Sequence, residues 1–128
     1  MKSRILLCLV SSAGLLLAAQ PALAASAAVR EMAGIMAHLS HYPSDAEKAR
    51  LQGIVDSQES TGQERVLAGA IINLKHKAAD RDKDRLRQLA NDATAPAEVR
   101  DLAGIVLNIS HKPGAEDKRR LEQMMQSP

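Results

Sequence analysis

The chain repeats itself every 35 residues, and this period constrains the fold more than any other feature. Residues 29–58, 64–93 and 99–128 align without gaps. Seven positions are identical in all three copies: Arg30/Arg65/Arg100, Ala33/Ala68/Ala103, Gly34/Gly69/Gly104, His41/His76/His111, Lys48/Lys83/Lys118, Arg50/Arg85/Arg120 and Leu51/Leu86/Leu121. A repeat of this length is one supersecondary unit. It cannot bury its apolar side alone, so neighbouring copies must cover one another.

Each copy reads as a helical hairpin. The first helix, A, is expected over roughly 27–40, 62–75 and 96–110. In the first copy Val29, Met32, Ala33, Ile35, Met36 and Leu39 recur at the helical period. Thr61-Gly62-Gln63-Glu64 has the form of a capping box, as does Ser44-Asp45-Ala46-Glu47. Pro96 suits a first helical position, and Pro43 and Pro113 are expected to stop helix A. The second helix, B, is expected over about 45–57, 80–92 and 115–126, with a narrow apolar face: Leu51, Ile54 and Val55, then Leu86, Leu89 and Ala90, then Leu121, Met124 and Met125. Acids early in B (Glu47, Asp82, Asp117) suit the helix dipole. Helix A should therefore carry the core, with B lying over it. The expected fold is all-α: three tandem hairpins stacked as a short α-solenoid.

Residues 1–24 read as a cleavable signal peptide. Lys2 and Arg4 form a basic start, Ile5 to Leu17 is largely apolar, and Ala22-Leu23-Ala24 follows as an A-x-A cleavage site. The domain is then 25–128, and a periplasmic or secreted location is expected. The apolar run is shorter than the roughly 20 residues of a membrane span, so no span is expected after cleavage. Cys8, the lone cysteine, lies in this segment. Removing Lys2 and Arg4 from the 17 basic residues leaves 15, equal to the 15 acidic ones. The formal charge of +2 thus lies wholly in the leader. With balanced charge, a single aromatic residue (Tyr42) and export, a nucleic-acid partner is not expected.

The stretch Ala95-Pro96-Ala97-Glu98-Val99-Arg100-Asp101-Leu102-Ala103 resembles the start of a HEAT repeat, with proline, then acid-Val-Arg, then small and apolar residues. The 35-residue length is closer to a TPR, although the aromatic positions of that pattern are missing. The resemblance implies an α-solenoid protein-interaction scaffold and names no partner.

A polar stripe runs along helix A opposite its apolar side. It consists of Arg30, Gly34, His38 and His41, then Arg65, Gly69, Asn73 and His76, then Arg100, Gly104, Asn108 and His111. Stacked repeats would set these stripes side by side, roughly 10 Å apart. Glycine inside a helix costs about 1 kcal/mol relative to Ala. It should therefore serve either close helix packing or a groove floor open to a ligand. Each Arg could pair with a carboxylate such as Glu31, Glu64 or Asp101, or bind a partner's carboxylate or phosphate. Each His could cap helix A. As a ladder, the stripe would hold an extended protein or peptide partner through paired donors and acceptors.

Other chemistries are not expected. His38 and His41 are three residues apart and Asp45 is nearby, which leaves metal handling as an alternative role. Histidines of different repeats, a helix spacing of roughly 10 Å apart, could not share an ion whose bonds are about 2.0–2.1 Å. No metal site and no cofactor are therefore expected. G-x-S-x-G, H-E-x-x-H and a phosphate loop are all absent, so catalysis is not expected. The resulting reading is a non-enzymatic binding module, or more narrowly an inhibitor or immunity partner of a toxin or hydrolase.

Overall fold

A computed structural model describes residues 25–128, so the signal-peptide reading of 1–24 lies outside the described residues. The described chain is all-α. Its six helices are α1 (Ala27–Ala37), α2 (Asp45–Asp56), α3 (Gly62–Ile72), α4 (Asp80–Ala90), α5 (Ala97–Asn108) and α6 (Ala115–Gln126). They fall into three A–B pairs in the order the repeat predicts.

The starts follow local chemistry. The Ser26 hydroxyl accepts the Val29 N–H at 3.1 Å. Ser44 and Thr61 form reciprocal capping boxes with Glu47 and Glu64. The ends do not follow the prolines. Helix A stops at Ala37, Ile72 and Asn108, five or six residues before the positions of Pro43, Ala78 and Pro113. The second copy stops in register with Ala78 in place of proline. Leu39, Leu74 and Ile109, just past the helix ends, are buried in every copy. Turning this apolar residue inward ends the helix, and the polar turn that follows stays in water.

The A helices bury most: Met32, Ala33 and Met36 in α1, Leu67, Ala68 and Ile71 in α3, and Leu102, Ala103 and Val106 in α5 are fully covered. The B helices each contribute one or two buried residues, chiefly Leu51, Leu86 and Leu121. One core cluster joins all three repeats.

The order of packing corrects the linear stack. Helix B packs mainly on the A helix of the next repeat, α2 on α3 and α4 on α5. The last helix, α6, packs on the first, α1. The three A helices all touch one another. In an open stack the first and third repeats would be apart. Here the repeats close on themselves, with the A helices inside, the B helices outside and the repeats related by an approximate three-fold axis.

Bonds at the A-helix starts also join the repeats. The Ser26 hydroxyl donates to Glu64 Oε1 at 2.5 Å. Glu64 is buried where the other copies have Val29 and Val99, and its second oxygen accepts the Thr61 N–H at 2.9 Å. A carboxylate is tolerated there because donors meet both of its oxygens.

Closure makes the terminal helix as important as the middle one. Leu121→Ala should destabilise by about as much as Leu86→Ala, each by roughly 2–5 kcal/mol, as read from denaturant unfolding. A loss under about 1 kcal/mol for Leu121→Ala alone would contradict a closed core.

Candidate functional site

The stripe has two regions: the helical part on each A helix, and the histidines beyond the helix ends. In the helical part, Arg30 and Arg65 act as latches between repeats. Arg30 Nη1 donates to the carbonyls of Ala25 and Ser127, both at 3.2 Å. Arg65 Nη2 donates to the carbonyl of Ser57 at 2.7 Å. Ser57 and Ser127 cap the C-termini of α2 and α6, the helices that pack on α3 and α1. Both arginines thus bind the electronegative end of the preceding B helix, where a cation is favoured. The expected salt bridges to Glu31 and Glu64 are not the ones formed. Glu31 pairs with Arg50 at 3.2 Å instead. In the third copy, Arg100 Nε is buried without a hydrogen-bond partner.

The residues one turn after the glycines cap the A helices. His38 Nδ1 lies 2.9 Å from the Gly34 carbonyl. Asn108 Nδ2 donates to the Gly104 carbonyl at 3.0 Å. Asn73 turns to α4 and donates to Asp82 Oδ2 at 3.0 Å. These local bonds occupy the groups that a peptide ladder would use.

The glycines themselves are left open. A Cβ built on Gly69 or Gly104 meets no neighbouring atom within 4 Å, and one on Gly34 reaches ordinary contact with Met125 at 3.7 Å. Close packing therefore does not require these glycines. Gly34 lines a groove with Arg30, Glu31, His38, Glu47, Arg50 and Met125. Gly69 lines the matching groove with Arg65, Asn73, Asp82 and Arg85. The second lies between the A and B helices of one repeat, and the first between α1 and α2 with Met125 of α6 as a further wall; the helices of one repeat pack less closely than helices of successive repeats. Among the described residues, neither of these grooves brings two stripes together in the side-by-side ladder: closure spreads them around the axis.

The B-helix residues Glu47, Arg50, Asp82 and Arg85 were missing from the sequence-based site. Their signal was the invariant Arg50/Arg85/Arg120 column, which reads equally well as a solvated face. Two carboxylates outside these grooves are held in the charged form. Hydrogen bonds from Thr94 and Gln63 keep the Asp92 carboxyl below its usual range, and Lys83 does the same for Asp80. A depressed folded-state pKa gives stability that is present near neutral pH and lost as pH falls through that value.

The histidines show the largest departure from expectation. His41, His76 and His111 come together on the approximate three-fold axis, past the C-terminal ends of the A helices. Their ring centres are 5.1 Å (41–76), 4.9 Å (76–111) and 5.7 Å (41–111) apart, with the rings edge to face. The expected spacing of about 10 Å assumed a linear stack. The His76 N–H donates to the His41 carbonyl at 2.8 Å, and the His111 N–H to the His76 carbonyl at 2.6 Å. His76 and His111 take left-handed backbone angles, φ 65° and 67°. All three are exposed, and they do not cap the A helices.

Among the described residues, no helix is long and apolar enough to cross a membrane. Comparison with protein-family models, with curated proteins and with solved structures gives no match.

Open space over Gly69 and Gly104 gives a direct test. Gly69→Ala and Gly104→Ala should each stabilise the fold by about 0.5–1 kcal/mol, seen as a raised Tm. A loss of similar size would mean that another group needs the space.

Proposed function

We propose that this chain is an exported, non-enzymatic helical-repeat module that binds a protein or peptide through the grooves between the A and B helices of its repeats. The observation that carries this reading is the open space over the recurring glycines. A residue that costs helix stability recurs in register, and in the second and third copies nothing packs over it. A bare helix backbone at a groove floor lets a partner approach more closely than any side chain would allow.

The groove walls suit a polypeptide. Arg50 and Glu47 face one groove, and Arg85 and Asp82 the other, so each offers both signs of charge. Volumes of about 470 and 320 Å³ are at the small end for ligand sites and fit a few side chains of a partner. The stripe residues Arg30, Arg65, His38 and Asn73 contribute walls that are already fixed by internal bonds, so little ordering is left to do on binding. The HEAT-like and TPR-like sequence pattern supports an interaction scaffold, and the A-x-A leader supports a periplasmic or secreted setting.

Filling the grooves tests the proposal. Leu is a good helix former, so a Gly34→Leu/Gly69→Leu double variant should fold while its side chains occupy the two grooves. Complexes captured by the unsubstituted chain from the exported fraction should be lost with this variant and kept with the surface control Arg81→Ala. Equal recovery of the same partners by the double variant would overturn the groove assignment.

A further inference from the structure

We propose that His41, His76 and His111 form a binding site for one divalent transition-metal ion of the zinc, copper or nickel type. Imidazole nitrogens suit these ions. With metal–nitrogen bonds of about 2.0–2.1 Å and the ring centre roughly 1.1 Å further out, three imidazoles on one tetrahedral ion have centres about 5.2 Å apart. The observed separations of 4.9, 5.1 and 5.7 Å bracket that figure.

The backbone holds this grouping. Two main-chain bonds run from repeat to repeat through the histidines themselves, His76 N–H to His41 and His111 N–H to His76. Left-handed angles at His76 and His111 cost a residue with a Cβ about 1 kcal/mol or more, and Gly or Asn would take them more easily. The sequence nonetheless keeps an imidazole at this position in all three copies. His41 takes no left-handed angle, so a backbone preference does not account for the third imidazole.

The Ser110 hydroxyl lies 3.2 Å from His111 Nδ1. A hydrogen bond at one ring nitrogen is the usual way to fix a ligating histidine and leave the other nitrogen for the metal. As the rings stand, edge to face, no group of three or more His, Cys, Asp and Glu among the described residues forms a ready ligand set. The rings are exposed, and exposed side chains change rotamer within nanoseconds, so the ion itself can draw the three nitrogens to a common point. Three protein ligands leave a fourth position for water or a partner's group, as in open zinc sites. This site needs nothing from the grooves and stands apart from the reading above.

The experiment is titration of the full chain with Zn²⁺, followed by calorimetry and by the histidine ring resonances. One ion should bind per chain, moving the ring signals of His41, His76 and His111 and leaving those of His38 in place. Asn tolerates left-handed angles, so His76→Asn and His111→Asn should keep the backbone while weakening binding by more than about a hundredfold, beyond the roughly 10–100-fold that loss of a supporting hydrogen bond brings. His38→Asn should leave the Zn²⁺ affinity unchanged. Absence of a one-to-one site, ring shifts centred on His38, or unchanged affinity in both Asn variants would overturn the proposal. Should either variant lose its helical circular dichroism, the ring-signal map of the unsubstituted chain decides alone.

Discussion

The structure depends on the cover that each B helix gives to the A helix of the next repeat. Helix A is too apolar to stand in water on its far side, and helix B has a face only one or two large residues wide. Neither can be stable alone, and helices this short are marginal in isolation. When α6 takes α1 as its next helix, no repeat is left with an uncovered end. An open stack would need a terminal repeat with a polar outer face. The fully buried Met36 and Leu121, in the helices where such a stack would end, show that the described residues contain no such repeat.

Closure also decides what the polar stripe can do. Arg30 and Arg65 become latches because α1 and α3 each have a B-helix C-terminus beside them. The stripes diverge around the axis and so do not form a ladder. The same geometry brings the residues on the axis together. Identical histidines in three copies, spread over 70 residues of sequence, become one cluster with ring centres 4.9 to 5.7 Å apart.

Much of this was legible in the sequence. The period gave the number and order of the helices. Thr61 and Ser44 announced their capping boxes, and the apolar spacing picked out the buried face of helix A. The ends of helix A were not legible, because Leu39, Leu74 and Ile109 could equally have continued the helix; tertiary burial turned them inward. Closure was not legible either, because a 35-residue period is common to a line and a ring. The histidine spacing was misjudged for that reason alone. The arginine partners were hidden for a different reason. They are backbone carbonyls, which every residue carries, so no sequence pattern marks them.

Contact between the first and last helices is tested most directly by nuclear Overhauser measurements on the full chain with labelled methionine methyls. The Met125 methyl lies 3.7 Å from the Cβ position of Gly34, and the rings of His41 and His111 are 5.7 Å apart between centres. A closed ring predicts cross-peaks from the Met125 methyl to the Gly34 protons and between the His41 and His111 ring protons. Cross-peaks only between successive repeats, with none joining the first to the third, would contradict it.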